Sequence, residues 1–138
     1  MTSSLPLYQL NQAGLRAPKV LTLAITGACN LACYHCWVRA GETASPADVP
    51  FRKIRRIIEE FSELGGIGIR LTGGEPLCHP DWQEIMKLSC DLGFNNVILQ
   101  TNAMLLKEEH VTFLRALDFP GLSIQVSLDG VTPRTHDL

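Results

Sequence analysis

The period of the apolar positions changes several times along the chain, and each change marks a predicted element. Lys19 to Thr26, KVLTLAIT, is apolar and partly β-branched, as a buried strand requires. PFRKIRRIIEEFSELGG places Phe51, Ile54, Ile57, Ile58, Phe61 and Leu64 at helical spacing, with one wet face and a stop at Gly65 and Gly66. Ile67 to Gly74, IGIRLTGG, reads as a short strand running into two glycines. HPDWQEIMKLSCDLGF opens with Pro80 and Asp81, suited to a helix start, and stops at Gly93. NNVILQTN is a third strand, and LKEEHVTFLRALDFPG a helix closed by Pro120 and Gly121. LSIQVSLDG, Leu122 to Gly130, is the fourth strand. The order β-α-β-α-β-α-β predicts an α/β fold, a parallel sheet with helical crossovers whose strands are apolar on both sides.

Residues 1–18 read as a mixed leader or flap, and 19–138 as one core without internal repeat or low-complexity tract. Only VTPRTHDL follows Gly130, which is too little for a further crossover helix. The expectation is a core truncated after the fourth strand; the alternative is a small open domain completed by a partner chain.

Composition narrows the classes. The 138 residues carry a net charge of -2, with 46% apolar and 19% charged positions. That suits one globular core and gives no electrostatic reason for nucleic acid or an anionic membrane as partner. No apolar run reaches the roughly 18 residues that span a bilayer, and no secretory signal opens the chain. The expected compartment is therefore the cytoplasm, where five thiols serve metals or chemistry more often than disulfides.

In a parallel sheet, ligands gather beyond the carboxyl ends of the strands. The first strand runs into Cys29, Cys33 and Cys36, and the second into Gly73, Gly74, Glu75 and Pro76. The third ends in Thr101 and Asn102, the fourth in Ser127 and Asp129. Four such coincidences on one rim argue for a composite site. Three cysteines within eight residues suit an iron–sulfur cluster, and a four-iron cluster held by three thiolates keeps one iron open. A zinc ion is the alternative, with His35 as fourth ligand, although Cys33 and Cys36 flank His35 closely. Gly73 and Gly74 let backbone approach a ligand and expose its polar groups, Glu75 attracts an ammonium, and Pro76 turns the chain away.

Plainer roles stand beside these. Asn102 and the Asp129–Gly130 pair suit turns, and Ser127 has a structural reading. Trp37 and Trp82 read as packing residues, Cys90 as core and Cys78 as a loop thiol. His79 and His110 read as surface or capping residues, and RKIRR as a helix's wet face.

The combination Cys29-x3-Cys33-x2-Cys36 followed by GGEP resembles the radical S-adenosylmethionine (radical SAM) superfamily, with TNAMLL and VSLDG in the expected order. The resemblance covers roughly Lys19 to His136, and CNLACYHC is similar to members that modify peptides, haem precursors or molybdopterin precursors. His35 stands where an aromatic residue is usual, Ala103 where glycine is common, and Cys78 matches no family role. The resemblance implies the amino-terminal portion of a partial (β/α)6 TIM-like barrel. It implies a [4Fe-4S] cluster on Cys29, Cys33 and Cys36, with S-adenosylmethionine on the open iron. Reductive cleavage would give a 5′-deoxyadenosyl radical that takes hydrogen from a peptide or small-molecule precursor. Gly73, Gly74 and Glu75 would meet the methionine ammonium, largely through backbone groups, in a loop shaped by Pro76. Ser127 would meet the carboxylate or ribose, Asp129 the ribose or substrate, and Asn102 the rim. His35 and Tyr34 would lie near the adenine or over the cluster. An electron donor such as flavodoxin or ferredoxin is implied as partner. The reading from another class is a zinc-binding structural or interaction module.

Overall fold

Four parallel strands, β1 (Val20–Thr26), β2 (Gly68–Gly73), β3 (Asn96–Thr101) and β4 (Leu122–Val126), lie side by side in chain order in one sheet. Helices α1 (Phe51–Glu63), α2 (Trp82–Asp91) and α3 (Glu108–Ala116) form the crossovers, and a short α4 (Pro133–His136) comes after β4. The computed structural model describes residue 9 and residues 12–42 and 47–136. Most of the predicted leader, residues 1–8 and 10–11, lies outside the described residues.

Strand alternation sorts the side chains onto two unlike faces. Ile25, Ile69, Leu71, Val97 and Leu99 point to the helices. There they meet Ile54, Ile58 and Phe61 of α1, Ile85, Met86 and Cys90 of α2, and Leu114 of α3. The opposite face carries the cross-strand row Thr22, Arg70, Ile98 and Ser123, with Gln100 opposite Gln125 further along. The expectation of strands apolar on both sides is thus corrected: one face is a core and the other is mostly polar. A run such as GIRLTG averages these faces together. The fourth strand also ends at Val126 rather than Gly130, and Val126 is 51% exposed. Helix α3 stops at Ala116, before the predicted Pro120, because Asp118 turns left-handed at φ 45°.

The two tryptophans part company. Trp82 packs edge-on against His110 and Phe113, with ring centroids 5.2 and 5.6 Å away. Trp37 is 94% exposed, so its reading as a packing residue is overturned. His79 is a capping residue but not a surface one. Only 1% exposed, it donates Nε2–H to the Val49 carbonyl at 2.9 Å and accepts the Asp81 amide on Nδ1 at 3.0 Å. The ring thereby ties the start of α2 to the segment before α1.

Cys90 lies in the core as expected, and burial, with Asp91 adding, pushes its thiol up to about 11. The folded state holds the proton more tightly than the unfolded state, whose thiol titrates near 9.0. That contribution is complete below pH 9 and is lost as pH rises through about 11, amounting to roughly 3 kcal/mol. Urea denaturation across this range is expected to show a steeper alkaline loss of stability in the parent chain than in Cys90→Ala. Parallel curves would remove Cys90 as the cause.

Candidate cofactor site at the strand ends

The site begins with an irregularity in β1. Register slips between Ala24 and Thr26, so that Thr26 rather than Ile25 stands opposite Gly73. A bulge bends a strand and re-aims the residues beyond it. The Thr26 hydroxyl donates to the Asp48 carboxylate and accepts the Ala28 amide at 2.9 Å, fixing the exit of the chain. The next residues fold into short turns: the Leu31 amide donates to Cys29 Sγ at 3.5 Å, Cys36 N to Cys33 O at 3.0 Å, and Arg39 N to Cys36 O at 3.2 Å. Cys29, Cys33 and Cys36 consequently line one cleft of about 660 Å³.

The opposite wall is the loop after β2. Gly73 adopts φ +152°, and a Cβ there would sit 2.4 Å from the Thr26 carbonyl. A Cβ on Gly74 would sit 2.2 Å from the Ala28 carbonyl oxygen and 2.9 Å from Ala40 Cβ. Both glycines therefore admit the neighbouring cysteine-bearing loop. The Gly74 amide donates to Thr26 O at 2.9 Å and the Glu75 amide to Ala28 O at 2.7 Å. With these N–H groups committed, the expectation of exposed amides is corrected for Gly74 and Glu75.

Glu75 also differs from its expected role. Its side chain is 1% exposed and turns inward. Oε1 accepts Leu77 N at 3.1 Å and the Thr101 hydroxyl at 2.6 Å, and Oε2 accepts Asn102 N at 2.7 Å. The carboxylate latches the end of β2 to the end of β3 and is not a free anion awaiting an ammonium. Pro76 opens the one-turn helix Pro76–Cys78.

Asn102 serves both as a turn residue and at the rim. Its Oδ1 accepts the Met104 amide at 3.0 Å, while its Nδ2 donates to Asn30 Oδ1 at 2.9 Å and lies 4.0 Å from Cys29 Sγ. Ala103 sits at φ 62°, a conformation that suits glycine and costs an alanine about 1 kcal/mol. Ser127 lines the cleft and donates its amide to Thr101 O at 3.0 Å. Asp129 reaches across to His35, with Oδ2 3.4 Å from Nε2. Tyr34 lines the cleft but is 98% exposed.

Partial burial, followed by the neighbouring charges of Cys29, Cys36 and Asp129, raises the Cys33 thiol above its ordinary value. Each deprotonation opposes the next, which is the local demand that a bound cation relieves. Among the described residues no three His, Cys, Asp or Glu side chains are grouped closely enough to hold one metal ion. His35 is engaged by Asp129 instead of completing a four-ligand zinc site. Cys78, read from sequence as a loop thiol, sits in the Pro76–Cys78 turn beside the site. Burial first, then Glu75 and Cys29, raise its thiol, and the Asn30 amide opposes them. Residues missed in the sequence include Thr72, Gln100 and Met104, which line the cleft, while Thr101, placed on the rim from sequence, proves to be the hydroxyl that completes the Glu75 latch. Alternation in β2 and β3 was the available signal for Thr72 and Gln100.

Comparison with known proteins adds an independent result. The family model described as Radical SAM superfamily matches residues 23–138. The chain is 35% identical over 138 residues to mycofactocin maturase MftC of Mycobacterium tuberculosis, covering 99% of this chain and 34% of that protein. It is 36% identical over 121 residues to AdoMet-dependent heme synthase of Methanosarcina barkeri, covering 88% and 34%. It is 37% identical over 117 residues to a probable GTP 3′,8-cyclase of Methanothermobacter thermautotrophicus, covering 84% and 37%. This chain thus spans about a third of the length of these relatives. In fold it is similar to Streptococcus suis SuiB bound to S-adenosylmethionine, with a TM-score of 0.79 at 21% identity over 94% of this chain and 29% of that one.

Proposed function

This chain belongs to the Radical SAM superfamily, and from that premise we propose that it forms the cluster- and cofactor-binding part of a radical SAM enzyme acting on a peptide. Cys29, Cys33 and Cys36 would hold a [4Fe-4S] cluster, and the cleft they line would take S-adenosylmethionine. When bound, these groups supply reductive cleavage of the sulfonium and a 5′-deoxyadenosyl radical for hydrogen abstraction. The chain's own residues bind and orient. The Gly73 and Gly74 carbonyl oxygens would meet the methionine ammonium, because cations are met by carbonyls and the Gly74 and Glu75 N–H groups are already committed. Ser127 and Asp129 would take the ribose and carboxylate side, with Asp129 holding His35 at the rim. Asn102 braces the Cys29 loop through Asn30.

The observation that carries this reading is that three thiols, a glycine-lined loop and two further strand ends share one cleft. A peptide substrate is favoured by the likeness to a maturase and by the similar fold of SuiB, which has been solved with its precursor peptide SuiA. A reducing compartment with flavodoxin or ferredoxin as electron donor fits this chemistry. No helix among the described residues is long and apolar enough to cross a membrane.

Anaerobic reconstitution with iron and sulfide tests the reading. About four irons and four sulfides per chain are expected, followed by 5′-deoxyadenosine on addition of S-adenosylmethionine and dithionite. One tightly held zinc without sulfide, or a fully loaded chain that releases no 5′-deoxyadenosine, overturns it.

A further inference from the structure

Cys78 stands beside the site without a task in it. Its turn is clamped to the cysteine loop at the foot of Cys29. The Glu75 amide donates to the Ala28 carbonyl at 2.7 Å, and the Cys78 amide donates to the Glu75 carbonyl at 2.9 Å. A Cβ on Gly74 would sit 2.2 Å from the same Ala28 oxygen, so the two backbones touch there with no side chain between them. Cys29 follows Ala28 directly, and the Cys78 thiol feels both the charge of Cys29 and the amide of Asn30. Both cysteines are half-buried. The other thiols have different company. Cys33 and Cys36 share one turn, closed by a 3.0 Å hydrogen bond, at the C-x-x-C spacing of redox pairs. Cys90 lies in the core behind the sheet. Cys29 and Cys78 are thus left to each other.

The two sulfurs stand on different sides of one short segment. Cys29 lines the cleft, its sulfur 3.5 Å from the Leu31 amide and 4.0 Å from Asn102 Nδ2. Among the described residues, Cys78 is not part of that lining. We propose that Cys29 and Cys78 form a reversible disulfide when the chain meets a peroxide before its cluster is inserted, with Cys78 as the resolving thiol. Rotation about the Cys29 Cα–Cβ bond, between staggered rotamers, turns its sulfur from the cleft to the Cys78 side. Hydrogen peroxide is the oxidant. Its O–O bond breaks as the sulfur–sulfur bond forms, the two thiols give up two electrons and two protons, and two waters leave. A sulfur held this way is returned by a thiol reductant, whereas a sulfinic acid is not. The disulfide itself does not depend on the radical SAM reading. Its consequence does: a cluster ligand is withheld from iron yet kept recoverable.

Peptide mapping of the full chain before reconstitution tests this. The reduced chain is treated with a small molar excess of hydrogen peroxide, blocked with N-ethylmaleimide and cut with trypsin without reduction. Trypsin leaves Cys29, Cys33 and Cys36 in residues 20–39, Cys78 in 71–87 and Cys90 in 88–107. A disulfide joining 20–39 to 71–87 is expected as the main cross-link between peptides, and dithiothreitol removes it. Cys29→Ser is expected to lower its yield about tenfold or more, because Cys33 and Cys36 are not clamped to the Cys78 turn and a disulfide tolerates little misplacement. Under a larger excess of peroxide, Cys78→Ser is expected to carry several-fold more Cys29 sulfinic acid than the parent and, after dithiothreitol, to take up correspondingly less iron. Absence of the linked peptide in the parent, or a link that survives Cys29→Ser, overturns the pairing. Equal sulfinic acid at Cys29 with and without Cys78 overturns the protection. The linked peptide is read without iron, sulfide or S-adenosylmethionine, so its absence and a failed 5′-deoxyadenosine assay are separate results.

Discussion

Single replacement of Cys29, Cys33 or Cys36 by alanine is expected to abolish stable iron binding and to lower 5′-deoxyadenosine formation on the order of a thousandfold or more, a barrier change of about 4 kcal/mol. The three thiols lie on one loop of successive turns and border one cleft, so removing any of them leaves a cluster with two protein ligands. Cys78→Ala and Cys90→Ala are the internal controls. Cys78 sits in the turn beside the site and feels the Asn30 amide, while Cys90 belongs to the core behind the sheet. Both variants are expected to retain the parent's iron and sulfide content. The raised Cys33 thiol adds a pH signature, because metal binding requires thiolates. Iron loading of the metal-free chain is therefore expected to improve as pH rises from about 7 toward the Cys33 range. Full iron content in Cys33→Ala, or loss of iron in Cys90→Ala alone, would contradict the assignment of ligands.

The order of elements was legible because each carries its own period, and the rim was legible because strand ends in parallel sheets converge. Side-chain direction was not. Glu75 comes after two glycines at the site and carries a charge, which reads as an outward-facing ligand. Its inward turn depends on Thr101 and Asn102, which lie 26 and 27 residues away in sequence. Trp37 and Trp82 are the same residue type near chemistry-bearing loops, yet only Trp82 has helix-borne neighbours. Arg70 was hidden for the opposite reason. Within IGIRLTGG it reads as a polar interruption of a buried strand, and its position on the polar face emerges only from pairing with Thr22 and Ile98. The Ala103 departure, by contrast, could be read locally, since a residue type where glycine is common points to a left-handed backbone position.

Glu75→Ala is expected to destabilise the chain by about 3–5 kcal/mol, more than an ordinary cavity of that size would cost. The buried carboxylate satisfies two backbone amides, Leu77 and Asn102, and the Thr101 hydroxyl. Truncation strands all three donors in a site that water does not reach freely. Glu75→Gln separates shape from charge. The glutamine oxygen can keep the Oε1 partners Leu77 and Thr101, but its NH2 group then faces the Asn102 amide, donor against donor. Flipping the amide moves the conflict to the Leu77 amide and forces the Thr101 hydroxyl to turn from donor to acceptor. A loss of about 2–3 kcal/mol is therefore expected for this isosteric change, read from the urea midpoint at unchanged slope. The consequence reaches the site through Asn102, whose amide is held by Glu75 and whose side chain holds Asn30 next to Cys29. Glu75→Gln is accordingly expected to weaken retention of iron during gel filtration while leaving all three cysteines in place. A variant as stable as the parent would show that the carboxylate's charge is not what joins the ends of β2 and β3. A destabilised variant that holds iron as firmly as the parent would confine the latch to folding.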